Sequence, residues 1–265
     1  MSVARAFMYI PRMKTILTTL AVALCLHAMP ECEASIYLNT TRVIFDGKNK
    51  EGSLVVVNDG DDVVIQSWVE PLDEKDNEAL PFATTPPLAR IQSKRQQMLR
   101  VLYEGAGMPV DRESAFWLNV QEIPRAVPGV NVLQFAVRQR IKVFYRPSEL
   151  TGDPAKAPST LLWRVSHVDG KGALTVENPS KYHVTMINMR LRIHDKSELV
   201  DDARMIAPES KLTLPLKSSI GGSGVPELTY QIINDYGARD GYRVMLNDEK
   251  ANVPTEVGRY GMPTE

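Results

Sequence analysis

The chain has 265 residues, enough for one large domain or two of about 100–150 residues each. A hydrophobic fraction of 43% fills ordinary cores and excludes global disorder, while a formal net charge of −1 gives no electrostatic case for nucleic-acid binding. The 16 glycines and 18 prolines are scattered without a period, which excludes collagen-like and repeat architectures.

The first element in chain order is a secretory signal, expected over residues 1–34. Arg12 and Lys14 form a basic region, and Ile16 to Ala28 is apolar apart from Thr18, Thr19 and His27. That run is shorter than the roughly 20 residues a membrane span needs, so a transmembrane anchor is the weaker reading. Cys32-Glu33-Ala34 places alanine before the expected cleavage point and makes Ser35 the mature start, although Cys32 only half meets the small-residue rule. Both cysteines, Cys25 and Cys32, fall in this segment. The mature chain is therefore expected to lack disulfides, a thiolate nucleophile and a zinc-thiolate site.

Beyond Ser35 the pattern reads as β almost throughout. Strands are expected at Ile36–Phe45, Leu54–Val57, Val63–Val69, Met98–Tyr103, Phe116–Ile123 and Val132–Tyr145. Turn residues separate them: Asp46-Gly47, Asn58-Asp59-Gly60, Pro71, Pro86-Pro87, Gly105–Pro109 and Pro128-Gly129. Ser148–Pro158, with its charged residues, glycine and prolines, breaks the pattern and reads as a linker. A second β-rich half follows, with strands expected at Leu161–Ser166, Ala173–Glu177, Tyr182–Ile193, Lys211–Leu216, Thr229–Asn234 and Tyr242–Leu246, and then a polar, mobile tail after Asn252. Short strands with regular turn signals make the fold class all-β: a sandwich over residues 35–147, a hinge over 148–157, a second sandwich over 158–252 and a tail over 253–265.

Two neighbouring runs carry the most information. In Met108–Pro124, Phe116, Leu118 and Val120 alternate with Trp117 and Asn119, and Pro124 ends the run because it has no N–H for a ladder. Val132–Tyr145 spans fourteen residues, against about 5–6 for an ordinary strand. One parity carries Leu133, Phe135, Val137, Ile141 and Val143, interrupted by Gln139; the other carries Gln134, Arg138, Arg140 and Lys142. The pattern alone leaves two readings open: a half-buried core strand with a solvated basic face, or a strand that overhangs its own domain.

Pro109, Asp111-Arg112-Glu113-Ser114, Trp117, Asn119 and Ile123-Pro124, followed by Asn131–Pro147, give a segment that resembles the signature of the periplasmic pilus-assembly chaperones. The resemblance extends to Thr41–Gly47 and Thr85-Pro86-Pro87. It thins in the second half, where Glu177-Asn178-Pro179 and Ile233–Gly237 are its main fits. It implies two immunoglobulin-like sandwiches set at an angle with a cleft between them, a periplasmic location, and a binding protein rather than an enzyme. The implied partners are pilin subunits and an outer-membrane usher. No nucleotide, metal, other cofactor or small-molecule substrate is implied.

The resemblance also implies roles. Leu133, Phe135 and Val137 would be the donor strand that completes an unfinished pilin sandwich by strand addition at a sheet edge, a recognition mode already described for pilus chaperones. Arg42 and Lys142 would anchor the subunit's C-terminal carboxylate, a guanidinium fork beside an ammonium point charge. Lys142 has the opposite parity to the donor residues, so either a bulge or the use of both strand faces at different heights is required. Glu113, Arg146 and Asp235 would form an ionic network between the domains; without the resemblance they are three surface charges. The short connection Arg125–Val130 implies the short-loop branch, which serves rod-forming pili. Long apolar edges invite pairing, so the free protein is expected to self-cap as a homodimer.

Enzyme signatures are weak. Gly221-Gly222-Ser223-Gly224 is followed by Val225-Pro226 where a phosphate loop needs lysine and a hydroxyl residue. His167, His183 and His194 lack metal-ligand spacing, and each reads as a surface or satisfied histidine. The alternative from another class is a secreted β-sandwich adhesin or fibre subunit. That reading predicts a free apolar N-terminal extension and usually a disulfide, and neither is visible. A hydrolase on a sandwich scaffold would need a nucleophile and base that the chain does not display.

Overall fold

The structure, a computed structural model, describes residues 36–73, 75, 79–124, 135–168, 171–194, 196–217, 225–247 and 250–258. The expected signal peptide, Ser35, both cysteines, Leu133, the connection Arg125–Val130, Gly221–Gly224 and the end of the tail lie outside the described residues. Among the described residues no helix is long and apolar enough to cross a membrane.

The first sandwich packs two sheets. Strands β1 (Ile36–Leu38), β3 (Glu51–Asn58), β7 (Gln96–Tyr103) and β5 (Phe82–Thr85) form one, in the order β1-β3-β7-β5. Strands β2 (Arg42–Asp46), β9 (Arg138–Arg146), β8 (Ser114–Ile123), β4 (Val63–Pro71) and β6 (Leu88–Ile91) form the other, in the order β2-β9-β8-β4-β6. Alternate residues of these strands build one core, with Phe45, Phe82, Phe116 and Tyr145 in edge and tilted ring contacts at its centre.

The second sandwich packs β10 (Leu162–Val168), β11 (Lys171–Asn178) and β14 (Ser210–Pro215) against the sheet β13-β12-β15-β16-β17. The latter strands are β12 (Val184–Ile193), β13 (Lys196–Ile206), β15 (Glu227–Ile233), β16 (Arg239–Met245) and β17 (Thr255–Glu256). Its separate core centres on Trp163 and Tyr230, whose indole N–H donates to the phenol oxygen at 3.3 Å.

Four expectations need correcting. Ile36–Phe45 is not one strand: Asn39 breaks it by accepting the Val55 N–H at 2.8 Å, so β1 pairs with β3 while β2 crosses to run parallel to β9. Val132–Tyr145 is not a continuous ladder strand, because β9 begins at Arg138. The expected linker contains a 3-10 helix, Pro154–Thr160, which the Asp153 side chain caps through the Ala155 N–H. The tail joins the sheet, since Asn252 exchanges backbone hydrogen bonds with Trp163 and β17 pairs with β16.

Candidate functional site

Glu113 lies just before β8 and Arg146 ends β9, so both reach the edge of the first sandwich facing the second. Glu113 is only 2% exposed, and its carboxylate is fully engaged. Oε1 accepts the His183 backbone N–H at 2.8 Å and lies 2.9 Å from His183 Nδ1, while Oε2 accepts Arg146 Nε at 2.7 Å. Arg146 then donates from Nη1 and Nη2 to Asp235 at 2.7 and 2.8 Å. Burial works against the Arg146 charge, but hydrogen bonds to Asp235 and Glu113 outweigh it and hold its pKa above the ordinary value. The sequence-predicted trio therefore meets in one network. The sequence reading missed the part played by His183, which is buried against Phe144, and by Tyr182, whose ring lies under the Arg146 guanidinium at 5.4 Å.

Arg42 and Lys142 are register partners across the parallel β2–β9 pair, which sets their side chains beside each other at the cleft. Arg42 Nη1 donates to the Ile233 carbonyl of the second sandwich at 2.9 Å. Its Nε is buried without a hydrogen-bond partner among the described residues. Burial pulls the Arg42 pKa down, with Asp235 and Glu113 opposing. Lys142 is also pulled down, first by burial and then by the neighbouring Arg42 charge. Its ammonium lies 5.2 Å from the Trp117 ring, and Arg140 lies 4.7 Å from the same ring. The cleft here holds about 310 Å³ and is lined by residues of both sandwiches, with no carboxylate among the lining side chains.

Phe135 and Val137 sit ahead of β9 and are 74% and 41% exposed. They share the parity of Ile141 and Val143, which are buried, but lie beyond the core. Gln139 marks the boundary, its side chain donating to the Ile36 carbonyl at 2.9 Å. The β8–β9 register is unbroken from Ser114–Tyr145 to Gln121–Arg138, and the Glu122 N–H continues it to the Val137 carbonyl. No bulge intervenes over these residues. Val137 and Lys142 therefore lie on opposite parities of one unbroken register, at different heights along it.

Residues 35–151 match the family model described as pili and flagellar-assembly chaperone, PapD N-terminal domain, and residues 156–244 match pili assembly chaperone PapD, C-terminal domain. The chain belongs to the pili assembly chaperone family. Chaperone protein FocC of Escherichia coli is 37% identical over 225 residues, covering 83% of this chain and 93% of FocC. The crystal structure of the YadV chaperone aligns with a TM-score of 0.69 at 34% identity, over 80% of this chain and 100% of that one. The SafB chaperone structure, solved in complex with the Salmonella enterica SafA pilin, aligns at 0.67 and 25% identity, over 82% and 99%. The paired immunoglobulin-like sandwiches are thus the fold of a pili assembly chaperone, and the resemblance carried by the Pro109–Pro147 segment identified the family.

Proposed function

We propose that this chaperone works in the periplasm, where it captures pilin subunits, completes their fold by donor-strand complementation and passes them to an outer-membrane usher. The observation that carries the reading is the Arg42–Lys142 pair, two desolvated cations side by side in a cleft with no carboxylate among its lining side chains, although Asp235 and Glu113 beyond that lining offset part of the Arg42 charge. A chain-terminal carboxylate would accept from the unpartnered Arg42 Nε and from the Lys142 ammonium. Each such charge-assisted bond is worth roughly 1.5–3 kcal/mol. With the subunit's end fixed there, Phe135 and Val137 offer their exposed side chains, and Val137 its segment's backbone, to the gap in the subunit sandwich. Leu133 is the expected third donor. The Glu113–Arg146–Asp235 network holds the two sandwiches at the angle that keeps both surfaces available to one ligand.

The test is site-specific photocrosslinking of the full chain co-expressed with a pilin subunit encoded beside its gene. A photoreactive residue at Phe135 should crosslink to the subunit's open groove, and one at Trp117, beside Lys142, to its C-terminal residues. Crosslinks to the groove alone would sink the carboxylate anchor, and crosslinks from neither position would sink the capture mechanism.

A further inference from the structure

The cleft holds more positive charge than one terminal carboxylate needs. Arg42, Arg140, Lys142 and Arg239 all line it, and none of the lining residues is acidic. Arg140 stands 3.7 Å from Glu70, outside the cleft, and so is partly neutralised. Arg239 is exposed at the start of β16, and its side chain makes no hydrogen bond or ion pair among the described residues. Its place is fixed by the fold. Arg239 is the register partner of Ile233, and the carbonyl of Ile233 is the group that holds Arg42. Opposed residues of an antiparallel pair have Cα atoms within about 5.5 Å. Guanidiniums from the two sandwiches therefore flank the same residue, one already tied to backbone and the other free to meet a ligand.

We propose that Arg239 is a specificity-determining residue that reads an acidic side chain next to the subunit's terminal carboxylate. This inference rests on the anchor proposed above. With that carboxylate on Arg42 and Lys142, Arg239 reaches the residues just before it from the opposite wall. A second carboxylate at that position would complement a lining that is cationic on both sides. Subunits ending in an acidic pair of carboxylates would thus be held more tightly than those with a neutral penultimate residue, and the second sandwich would take a direct part in choosing among them.

The experiment measures binding of the full mature protein to three synthetic peptides with one alternating valine–threonine body. They end in aspartate-valine with a free carboxylate, asparagine-valine with a free carboxylate, and aspartate-valine amide. For the wild type, replacing the penultimate aspartate by asparagine should weaken binding roughly tenfold, the equivalent of one lost charge-assisted bond. For Arg239→Gln the two free-acid peptides should differ by less than about twofold, while Arg239→Lys should keep part of the preference. Arg239 is exposed, so its replacement should leave the fold intact, and matched circular dichroism checks this. A preference that persists undiminished in Arg239→Gln, or its absence in the wild type, overturns the assignment. The amide reads the anchor separately: if it binds as well as the free acid, the Arg42–Lys142 anchor fails whatever Arg239 does. No binding by any peptide overturns both.

Discussion

Arg146 of the first sandwich and Asp235 of the second face each other fork to fork, through two nearly parallel bonds of 2.7 and 2.8 Å. The same guanidinium spends its Nε on Glu113, so one side chain ties a buried carboxylate of its own domain to a carboxylate of the other. The two acids differ in what their loss would leave behind. Glu113 has a side chain 1% exposed, whereas Asp235 is 35% exposed and water can take its place.

Removal of Arg146 should therefore be the costlier loss, because it leaves the Glu113 charge buried without its guanidinium. Arg146→Ala is expected to destabilise the protein by about 3–5 kcal/mol. Asp235→Ala should cost distinctly less. Urea unfolding of the two variants checks the order, and equal losses would mean that Glu113 does not govern the joint.

Gly237 of the second sandwich also lies against the first, at Thr41. Its φ is +78°, and a Cβ there would lie 2.6 Å from Thr41 Oγ1. Thr41 can swing its hydroxyl into another rotamer, so the backbone conformation should dominate. Gly237→Ala is expected to cost about 1–2 kcal/mol, and adding Thr41→Ala should recover less than half of it. A double-mutant cycle measures the share; recovery of most of the loss would make the steric contact the larger effect.

Lys142 gives the cleft a pH dependence. Burial and Arg42 lower its pKa in the folded state, below the roughly 10.4 of a free lysine. Between those two values the unfolded chain binds more protons than the folded one, so the Lys142 contribution to stability rises with pH across that window. Carboxylate binding at the proposed anchor should act oppositely, because it would need the ammonium. Affinity for a peptide with a free C-terminus should fall as pH rises through the lowered pKa. In Lys142→Arg the fall should vanish, since a guanidinium stays charged throughout. Titration of peptide affinity from about pH 7 to about pH 10 decides it, and an equal decline in both proteins would remove Lys142 from the anchor.

Much of this architecture is legible in the chain because half-buried strands alternate in period two and end at glycine and proline. Phe116, Leu118 and Val120 against Trp117 and Asn119 are the clearest case, and all three apolar residues are buried. The strands that escape the pattern have physical reasons to do so. β13 is an edge strand whose Glu198, Asp201, Asp202 and Arg204 suit an exposed position, so it carries no apolar alternation. β5 and β6 flank Pro86-Pro87, which read as a turn and hid the short pairings on either side. The switch of the first strand between sheets falls at Asn39–Arg42, four polar residues that interrupt the apolar Ile36–Leu38 and Val43–Phe45, and reading one strand through them missed the change of buried parity from Ile36 to Val43 and Phe45. At the site, the resemblance named Arg42, Lys142 and the Glu113–Arg146–Asp235 trio. His183 was read as a surface or satisfied histidine without its partner and Arg239 was not singled out, because their meaning depends on pairings across 70 residues with Glu113 and across the β15–β16 hairpin with Ile233. Sequence spacing does not display such pairings.

The central claim is that one ligand uses both the cationic cleft and the exposed donor segment. The most direct test co-purifies the tagged protein from the periplasm with a pilin subunit encoded beside its gene, comparing wild type, Arg42→Ala and Phe135→Asp. Phe135 is largely exposed and Arg42 faces the cleft, so both variants should remain folded. The account predicts a soluble one-to-one complex with wild type and its loss in both variants. Undiminished capture by either folded variant would contradict it.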